Sequence, residues 1–275
     1  KKGNYLVNNH NINYAPHLVF INSNKSSEVI DEFKKFVVFT PSYETSNNEI
    51  ERKESVKLKG AIKEAELITE SFKNEHFKNE DATKKSFINN VSKAKIIHLA
   101  MHANIDNKKP ELSYFSFSKT AQEKEYKLYL EELYALKLNA DIAVLSACNT
   151  GTGFLEYYNG AVSLQRAFTL AGVSSTVSSL WEVPDKATQE IMVSFYKNLK
   201  KGFSKPKALQ QAKLAYINSH ADANILVPYY WAGFVISGDM SPISFEEKPN
   251  NFLFYGVVIL LFLVGIWLFK RFQKR

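Results

Sequence analysis

The sequence contains only one cysteine among its 275 residues. A single cysteine cannot form an intramolecular disulfide or supply the several thiolates of a cysteine-rich zinc site, so both kinds of scaffold are excluded. Glycine and proline are few, at 11 and 8 residues, whereas 45% of the chain is hydrophobic, including 20 Phe and 14 Tyr. That composition is too apolar for a disordered chain. The length of 275 residues allows one large domain or two small ones.

Arginine is scarce as well. The formal net charge is +7, but only Arg52, Arg166, Arg271 and Arg275 are arginines, and the other basic residues are lysines scattered among glutamates. Proteins that read bases or phosphates usually present arginine forks and clustered basic stripes. We therefore expect no nucleic-acid partner, and we interpret the lysines as parts of solvated faces.

An uncharged run lies near the C-terminus, where residues 252–269 read FLFYGVVILLFLVGIWLF. A helix of that length reaches about 27 Å, which is close to the hydrocarbon thickness of a bilayer. Tyr255 and Trp267 lie near its ends, where amphipathic aromatic residues favour the membrane interface. The sequence therefore predicts a head domain over 1–241, a polar linker over 242–251, a single transmembrane helix over 252–269 and a basic tail over 270–275.

The charges around this helix predict its orientation. Lys270, Arg271, Lys274 and Arg275 follow it, so the positive-inside rule places the tail in the cytosol and the head outside. An oxidising compartment would threaten an exposed thiolate, which argues against that placement and leaves the side of the head open. The predicted orientation also requires an export signal, which this sequence lacks. Because the chain begins at Lys1, we expect a fragment or a processed product.

Residues 1–241 show alternating strand and helix patterns. Near-continuous apolar runs predict buried strands, and apolar residues at helical spacing predict helices between them. The predicted strands are 35–40, 95–101, 141–147, 174–180 and 234–237, and the predicted helices are 58–72, 81–94, 160–171, 185–200 and 204–219. We expect Asp81, Asp185 and Ser204 to cap three of these helices. Repeated strand–helix alternation is typical of an α/β sandwich with a mostly parallel sheet.

Two chemically reactive residues directly follow predicted strands. His102 follows 95–101, and Cys148 follows 141–147. Functional residues in open α/β sheets gather beyond the carboxyl ends of the strands, so both residues can lie at one sheet edge. A thiolate is the nucleophile of cysteine catalysis, and a nearby imidazole acts first as base and then as acid. Gly151 and Gly153 make the following loop permissive, so that a peptide backbone can approach amides suited to an oxyanion.

Simpler interpretations of these residues stay open. A lone cysteine after an apolar strand is often a small buried hydrophobe, and a histidine there is often a hydrogen-bonded structural residue. We expect His98, which lies within the strand, to orient the site through a hydrogen bond. His98 and His102 have the spacing of a helical metal pair, but on a strand and without a third ligand they predict no metal site. No cofactor is expected either.

Four segments carry a more specific pattern, in the order IIHLAMHANID, AVLSACNTGTG, SLWEVPDKAT and PYYWAGFVISGD. Together with NYLVNNHNINYAPH and LKGAIKEAE, they resemble the CHAT family of bacterial caspase-like proteins over roughly residues 4–240. That family belongs to the caspase–separase clan and is usually attached to tetratricopeptide repeats. The resemblance implies a caspase–hemoglobinase-like α/β/α sandwich and a His102–Cys148 dyad that cleaves peptide bonds through a thioester.

One residue departs from the family pattern. The family usually has a glycine directly after the catalytic histidine, whose amide helps to form the oxyanion hole, and this chain has Ala103. Alanine can still donate its amide, beside that of Cys148, if the local backbone does not require a conformation that only glycine adopts. The family domain also normally has strands upstream of NYLVNNHNINYAPH, so we expect the first strand or strands and any repeat region to be missing from this chain.

Residues after the strand 174–180 are candidates for a substrate pocket. Trp181, Glu182 and Asp185 follow the end of that strand, and an acidic residue there suits a basic side chain before the scissile bond. The simpler alternative is that Asp185 caps its helix and Trp181 packs beneath the site.

Two functions from different classes remain on these observations. The first is a membrane-anchored cysteine endopeptidase that acts on a protein or peptide substrate and is regulated by a partner or an upstream tetratricopeptide-repeat region. The second is a catalytically silent CHAT-like scaffold that binds protein partners at the membrane, for which Ala103 is the main indication. The position of the only cysteine, Cys148, favours the peptidase. A hydrolase or transferase that acts on small molecules through the same thiol is a minor third interpretation.

Overall fold

The computed structural model describes residues 5–14, 35–43, 60–70, 72, 74–106, 108–146, 161–222 and 224–245. The chain divides into two compact units, Lys1–Ile243 and Ser244–Arg275. All helices and strands of the described residues belong to the first unit.

The first unit alternates strands with helices, as the sequence predicts. In chain order, the strands are β1 (Lys35–Pro41), β2 (Asn74–Asn79), β3 (Ala94–Leu99), β4 (Ala103–Asn104), β5 (Tyr114–Ser116), β6 (Lys127–Tyr129), β7 (Ile142–Leu145), β8 (Ser175–Ser179) and β9 (Phe234–Gly238). The helices are α1 (60–69), α2 (Lys84–Val91), α3 (Leu130–Ala135), α4 (Ala161–Leu170), α5 (Asp185–Lys200), α6 (Lys205–Ser219) and α7 (Pro228–Trp231).

The main sheet has the strand order β2-β1-β3-β7-β8-β9. Every neighbouring pair from β2 to β8 is parallel, and β9 joins β8 antiparallel at the edge. The prediction of a mixed α/β fold with a mostly parallel sheet is therefore confirmed. Because parallel strands share one direction, β3, β7 and β8 all end at the same edge of the sheet.

The central strands bury side chains on both faces, which explains their continuous apolar sequences. Val37 and Phe39 of β1 pack in one cluster with residues of α2, α3 and α4. Phe36, one position away, points to the opposite face and stacks on Tyr196 of α5, with ring centroids 5.3 Å apart. Helices therefore cover both faces of the sheet, in three layers.

A second, smaller sheet follows the end of β3. It has the order β4-β5-β6 and is antiparallel, with Ala103 opposite Phe115 and Phe115 opposite Leu128. These strands have only two or three residues each, so they carry too short a pattern to be predicted from the sequence. Their importance is positional, because β4 begins directly after His102.

The helix ends correct two predicted caps. Thr83, not Asp81, is the N-cap of α2, and its side chain accepts a hydrogen bond from the amide of Ser86 at 3.1 Å. Asp185 is the first residue of α5, so the preceding Pro184 occupies the N-cap position. Ser204 occupies the N-cap position of α6 as predicted, but its side chain makes no capping hydrogen bond.

The membrane prediction falls on residues beyond those described. No helix among 5–14, 35–43, 60–70, 74–106, 108–146, 161–222 and 224–245 is long and apolar enough to cross a bilayer. The predicted transmembrane helix over 252–269, the basic tail over 270–275 and most of the linker over 242–251 lie outside the described residues.

Candidate active site

Strands β3 and β7, which precede the two residues of the predicted dyad in the sequence, end at the same edge of the sheet. They are parallel neighbours, with His98 paired to Val144 and Leu99 paired to Leu145. His102 lies three residues after the end of β3. β7 ends three residues before Cys148, which lies outside the described residues with Gly151 and Gly153. Neighbouring strands lie about 4.8 Å apart, so chains that leave them start side by side.

The backbone of His102 is held by a tyrosine that the sequence analysis missed. The hydroxyl of Tyr43 accepts a hydrogen bond from the His102 amide at 3.0 Å and donates one to the carbonyl of Ser116 at 2.7 Å. The Ser116 amide donates in turn to the His102 carbonyl at 2.9 Å. A regular antiparallel pair would join His102 N–H directly to the Ser116 carbonyl, so the hydroxyl is inserted into the ladder between these residues.

The same tyrosine contacts the imidazole. The rings of Tyr43 and His102 have centroids 4.8 Å apart and planes tilted by 32°. His102 itself is half-buried, which leaves part of it open to solvent. Tyr43 follows the end of β1, so its position at the carboxyl edge of the sheet is the sequence signal that could have identified it.

Ala103 adopts a backbone conformation that suits alanine. It begins β4, and among the described residues other than glycine only Asn79 has a positive φ. Because His102 and Ser116 form a hydrogen-bonded pair, Ala103 and Phe115 are a non-hydrogen-bonded pair, whose amides point away from the partner strand. The Ala103 N–H is therefore directed away from β5, and no glycine-only conformation is required there.

A buried polar network lies behind this edge, and it includes His98. The His98 side chain is fully buried, with Nδ1 3.1 Å from the Tyr196 hydroxyl and Nε2 3.4 Å from Oε1 of Glu64. The same carboxylate oxygen accepts a hydrogen bond from the Ser146 hydroxyl. Burial first, and then the nearby Glu64 carboxylate, raise the pKa of Tyr196 well above its ordinary value, so its hydroxyl keeps its proton near neutral pH. The sequence analysis identified His98 but missed Glu64, Ser146 and Tyr196.

The pocket candidates follow β8, the neighbour of β7. The Trp181 indole N–H donates to the Tyr229 carbonyl at 2.8 Å, and its ring packs so closely on Gly233 that a Cβ there would come within 3.0 Å of it. Glu182 is half-buried. Trp181 is therefore anchored to α7 through Tyr229 and to the turn after α7 through Gly233.

Asp185 lies farther along the same connection. Its side chain is exposed, and its carboxylate lies against Gly60, where a Cβ would come within 2.9 Å of Oδ2. The Asp185 carboxylate therefore lies next to the first residue of α1.

The described residues give no sign of a metal centre. Nowhere in that part of the chain do three or more His, Cys, Asp or Glu side chains lie together in a group that could hold a metal ion. His98 directs both ring nitrogens toward Tyr196 and Glu64 instead.

Comparison with known proteins identifies the family. The model of the CHAT domain matches residues 1–239. Tetratricopeptide repeat protein 28 of Mus musculus is 31% identical over 115 residues, which are 42% of this chain and 4% of that protein. The Homo sapiens protein of the same name is 35% identical over 80 residues, which are 29% of this chain and 3% of that protein. The chain thus spans only a small fraction of the length of these relatives.

Two solved structures are more distant. The crystal structure of the Arg-specific cysteine proteinase gingipain R has a TM-score of 0.41 at 10% identity, and the match covers 76% of this chain and 47% of that one. The Saccharomyces cerevisiae separase–securin complex also has a TM-score of 0.41, at 12% identity, covering 74% of this chain and 12% of that one. The family assignment rests on the domain match, which covers most of the sequence and confirms the resemblance seen in its motifs. The chain belongs to the CHAT domain family.

Proposed function

We propose that this chain is a cysteine endopeptidase in which His102 and Cys148 form the catalytic dyad. The observation that carries the proposal is the pairing of β3 with β7, since β3 ends three residues before His102 and β7 ends three residues before Cys148. The chain has no other cysteine, so no other thiol can take the nucleophile's part. The position of His102 supports its part in the dyad, because its side chain is half-buried and its backbone amide donates a hydrogen bond to the Tyr43 hydroxyl.

The reaction proceeds in two steps. The Cys148 thiolate attacks the carbonyl carbon of the scissile peptide bond, and the imidazolium of His102 donates a proton to the leaving amine as the C–N bond breaks. The product of this step is a thioester between Cys148 and the acyl part of the substrate. His102 then takes a proton from water, whose oxygen attacks the thioester; the C–S bond breaks, and the carboxylic acid leaves with the Cys148 thiolate and the His102 imidazolium restored.

The amides of Ala103 and Cys148 stabilise the oxyanion in both steps. The Ala103 N–H points away from its partner strand, and the residue has no need of a glycine conformation. Ala103 was the main indication for a silent scaffold. With an ordinary backbone at that residue, the endopeptidase is the better-supported function.

Substrate recognition involves the residues after β8. Glu182 and Asp185 bring negative charge beyond the strand adjacent to β7, which suits a basic side chain before the scissile bond. Trp181 supports this segment by its hydrogen bond to Tyr229. We further propose that the helix over 252–269 anchors the enzyme in a membrane, and that a tetratricopeptide-repeat region or partner protein regulates it.

The dyad is tested by the reactivity of its thiol. We would measure the rate of iodoacetamide alkylation of the detergent-solubilised chain across about pH 5 to 9, because a thiolate paired with an imidazolium reacts well below the ordinary thiol pKa of about 8.5. His102→Ala should slow labelling near pH 6 by at least about tenfold and restore an ordinary thiol profile. His10→Ala, which changes an exposed histidine, is the matched control and should leave the profile unchanged.

Cleavage is then measured with peptides that differ only in the residue before the scissile bond. Lys or Arg there should be preferred over Glu, and His102→Ala should abolish cleavage. An ordinary thiol profile in the unmodified chain that His102→Ala does not alter would contradict the dyad. The membrane anchor is tested separately, because a chain that ends at Asn251 should be released from host membranes by alkaline carbonate whereas the full chain should not.

A further inference from the structure

A buried carboxylate joins the two strands that lead to the dyad. Glu64 projects from α1, with only 3% of its surface exposed, against the ends of β3 and β7. Its Oε1 lies 3.4 Å from Nε2 of His98 on β3, and it accepts a hydrogen bond from the hydroxyl of Ser146, the residue after β7. One oxygen atom thus contacts both strands of the pair.

These contacts lie close to the dyad along the chain. His98 precedes His102 by four residues, and Ser146 precedes Cys148 by two. A residue spans at most about 3.3 Å of extended chain, so His98 lies within about 13 Å of His102, and Ser146 lies within about 7 Å of Cys148. Ser146 is also fixed through its amide, which donates to the Leu99 carbonyl of β3 at 3.0 Å. The residue two positions before Cys148 therefore has hydrogen bonds through both its hydroxyl and its amide.

The carboxylate occupies a position where an apolar side chain would be the ordinary choice. Ala61, Ala65 and Ile68 lie on the same buried stripe of α1. Removing a polar or charged group from water costs free energy unless hydrogen bonds compensate for it. At Glu64 the compensation comes from groups on the two neighbouring strands, so the interaction couples their positions.

We propose that Glu64 is a positioning residue, which sets the placement of Cys148 relative to His102 by tying Ser146 and His98 together. This inference rests on the proposed function, because it presupposes that His102 and Cys148 work as a pair. Glu64 acts on the dyad through its contacts with Ser146 and His98 at the two strand ends.

The hydrogen bonds distinguish two substitutions at Glu64. In Glu64→Gln, the amide oxygen can still accept the hydrogen bond from the Ser146 hydroxyl, and the side chain still fills the space beside Nε2 of His98. Glu64→Ala removes both contacts. We expect alkylation of Cys148 near pH 6 to fall about tenfold in Glu64→Ala, with an ordinary thiol profile, and to stay within about twofold of the unmodified chain in Glu64→Gln.

Glu66→Ala is the matched control. Glu66 lies two residues away on the same helix, but it is exposed and pairs with Lys78 at 2.8 Å. The variant removes a carboxylate from α1 without touching either strand end. Its alkylation profile should equal that of the unmodified chain.

If Glu64→Ala shows no cooperative thermal transition and is therefore unfolded, Ser146→Ala tests the role of Glu64 in its place. This variant removes only the hydroxyl that donates to Glu64, and it should lower the reactivity of Cys148 near pH 6 by about threefold to tenfold. If Glu64→Ala folds and Cys148 keeps its reactivity, the inference is overturned. If Glu64→Ala does not fold, unchanged reactivity in Ser146→Ala overturns it instead. Equal losses in Glu64→Gln and Glu64→Ala would also overturn it, because charge rather than hydrogen bonding would then be responsible.

His102→Ala separates this inference from the dyad itself. A loss in His102→Ala without a loss in Glu64→Ala removes the role of Glu64 and leaves the proposed function standing. A loss in Glu64→Ala without one in His102→Ala contradicts the proposed function, since Cys148 would then draw its reactivity from another source.

Discussion

Removing the hydroxyl of Tyr43 tests how the candidate general base is held. Tyr43→Phe keeps the ring that lies 4.8 Å from the imidazole of His102. It removes the oxygen that accepts from the His102 amide and donates to the Ser116 carbonyl. The substitution therefore separates the bridging hydrogen bonds from the ring contact.

The expected cost follows from the two groups that lose their partner. A hydrogen bond contributes about 0.5–1.5 kcal/mol net, and a buried group left unsatisfied costs about 1–3 kcal/mol. Both bonds of Tyr43 are only partly buried, so water can replace some of the loss. We expect the free energy of unfolding to fall by about 1–2 kcal/mol, which corresponds to about 3–6 °C in Tm for a domain of this size.

Reactivity should change more than stability. Without the bridge, the His102 amide and the Ser116 carbonyl must reorganise, and the imidazole moves from the position set by β4 and β5. Alkylation of Cys148 near pH 6 should fall about fivefold, whereas Tyr134→Phe, at a tyrosine that is 40% exposed, should change neither quantity. A Tyr43→Phe variant with the Tm and alkylation profile of the unmodified chain would refute this account of His102.

Three further predictions concern stability. Phe39→Ala, in a fully buried side chain whose ring stacks on Phe77 at 4.7 Å, should cost about 3–5 kcal/mol in urea unfolding. Gly172→Ala should also destabilise, by about 2 kcal/mol or more, because φ is +109° and the new Cβ would lie 2.1 Å from the Leu138 carbonyl oxygen. Burial, and then Lys78, lower the pKa of His76 to about 4, so the unfolded chain binds a proton below about pH 6.5 before the folded one does. The free energy of unfolding should therefore fall as pH drops from about 6.5 toward 4. Because His76 is only half-buried, solvent screening limits the loss to about 1 kcal/mol. The difference between the urea midpoints at pH 7 and pH 5 measures this loss, and His76→Gln should reduce that difference by the same amount.

The sequence predicted those strands whose burial imposes an apolar pattern. β1, β3, β7, β8 and β9 all coincide with predicted strands, with ends that differ by a few residues. β2 was missed because its sequence NEHFKN is polar. It pairs with β1 on one side only, at the edge of the sheet, where continuous apolar character is not required.

The sequence singles out a reactive residue where it directly follows a predicted strand. His102 has that position after 95–101, whereas the contacts of Tyr43 and Glu64 required the fold. A tyrosine in a loop and a glutamate among lysines are ordinary surface residues by sequence. The one available signal for Glu64 was its spacing, because it lies three residues after Ala61 and four before Ile68 on the buried stripe of α1.

Stability and reactivity together distinguish a peptidase from a silent scaffold built on the same fold. Phe39 lies in the core between the sheet and α2, so Phe39→Ala should lower stability strongly while the folded fraction keeps its alkylation profile. Tyr43→Phe should do the reverse, with a small loss of stability and a clear loss of reactivity. In a scaffold without a working dyad, Cys148 has an ordinary thiol profile from the outset and neither substitution alters it. If the residues around the ends of β3 and β7 hold a reactive pair, Phe39→Ala should lose more stability than Tyr43→Phe, and Tyr43→Phe should lose more alkylation reactivity than Phe39→Ala. A silent scaffold should not show this opposite order.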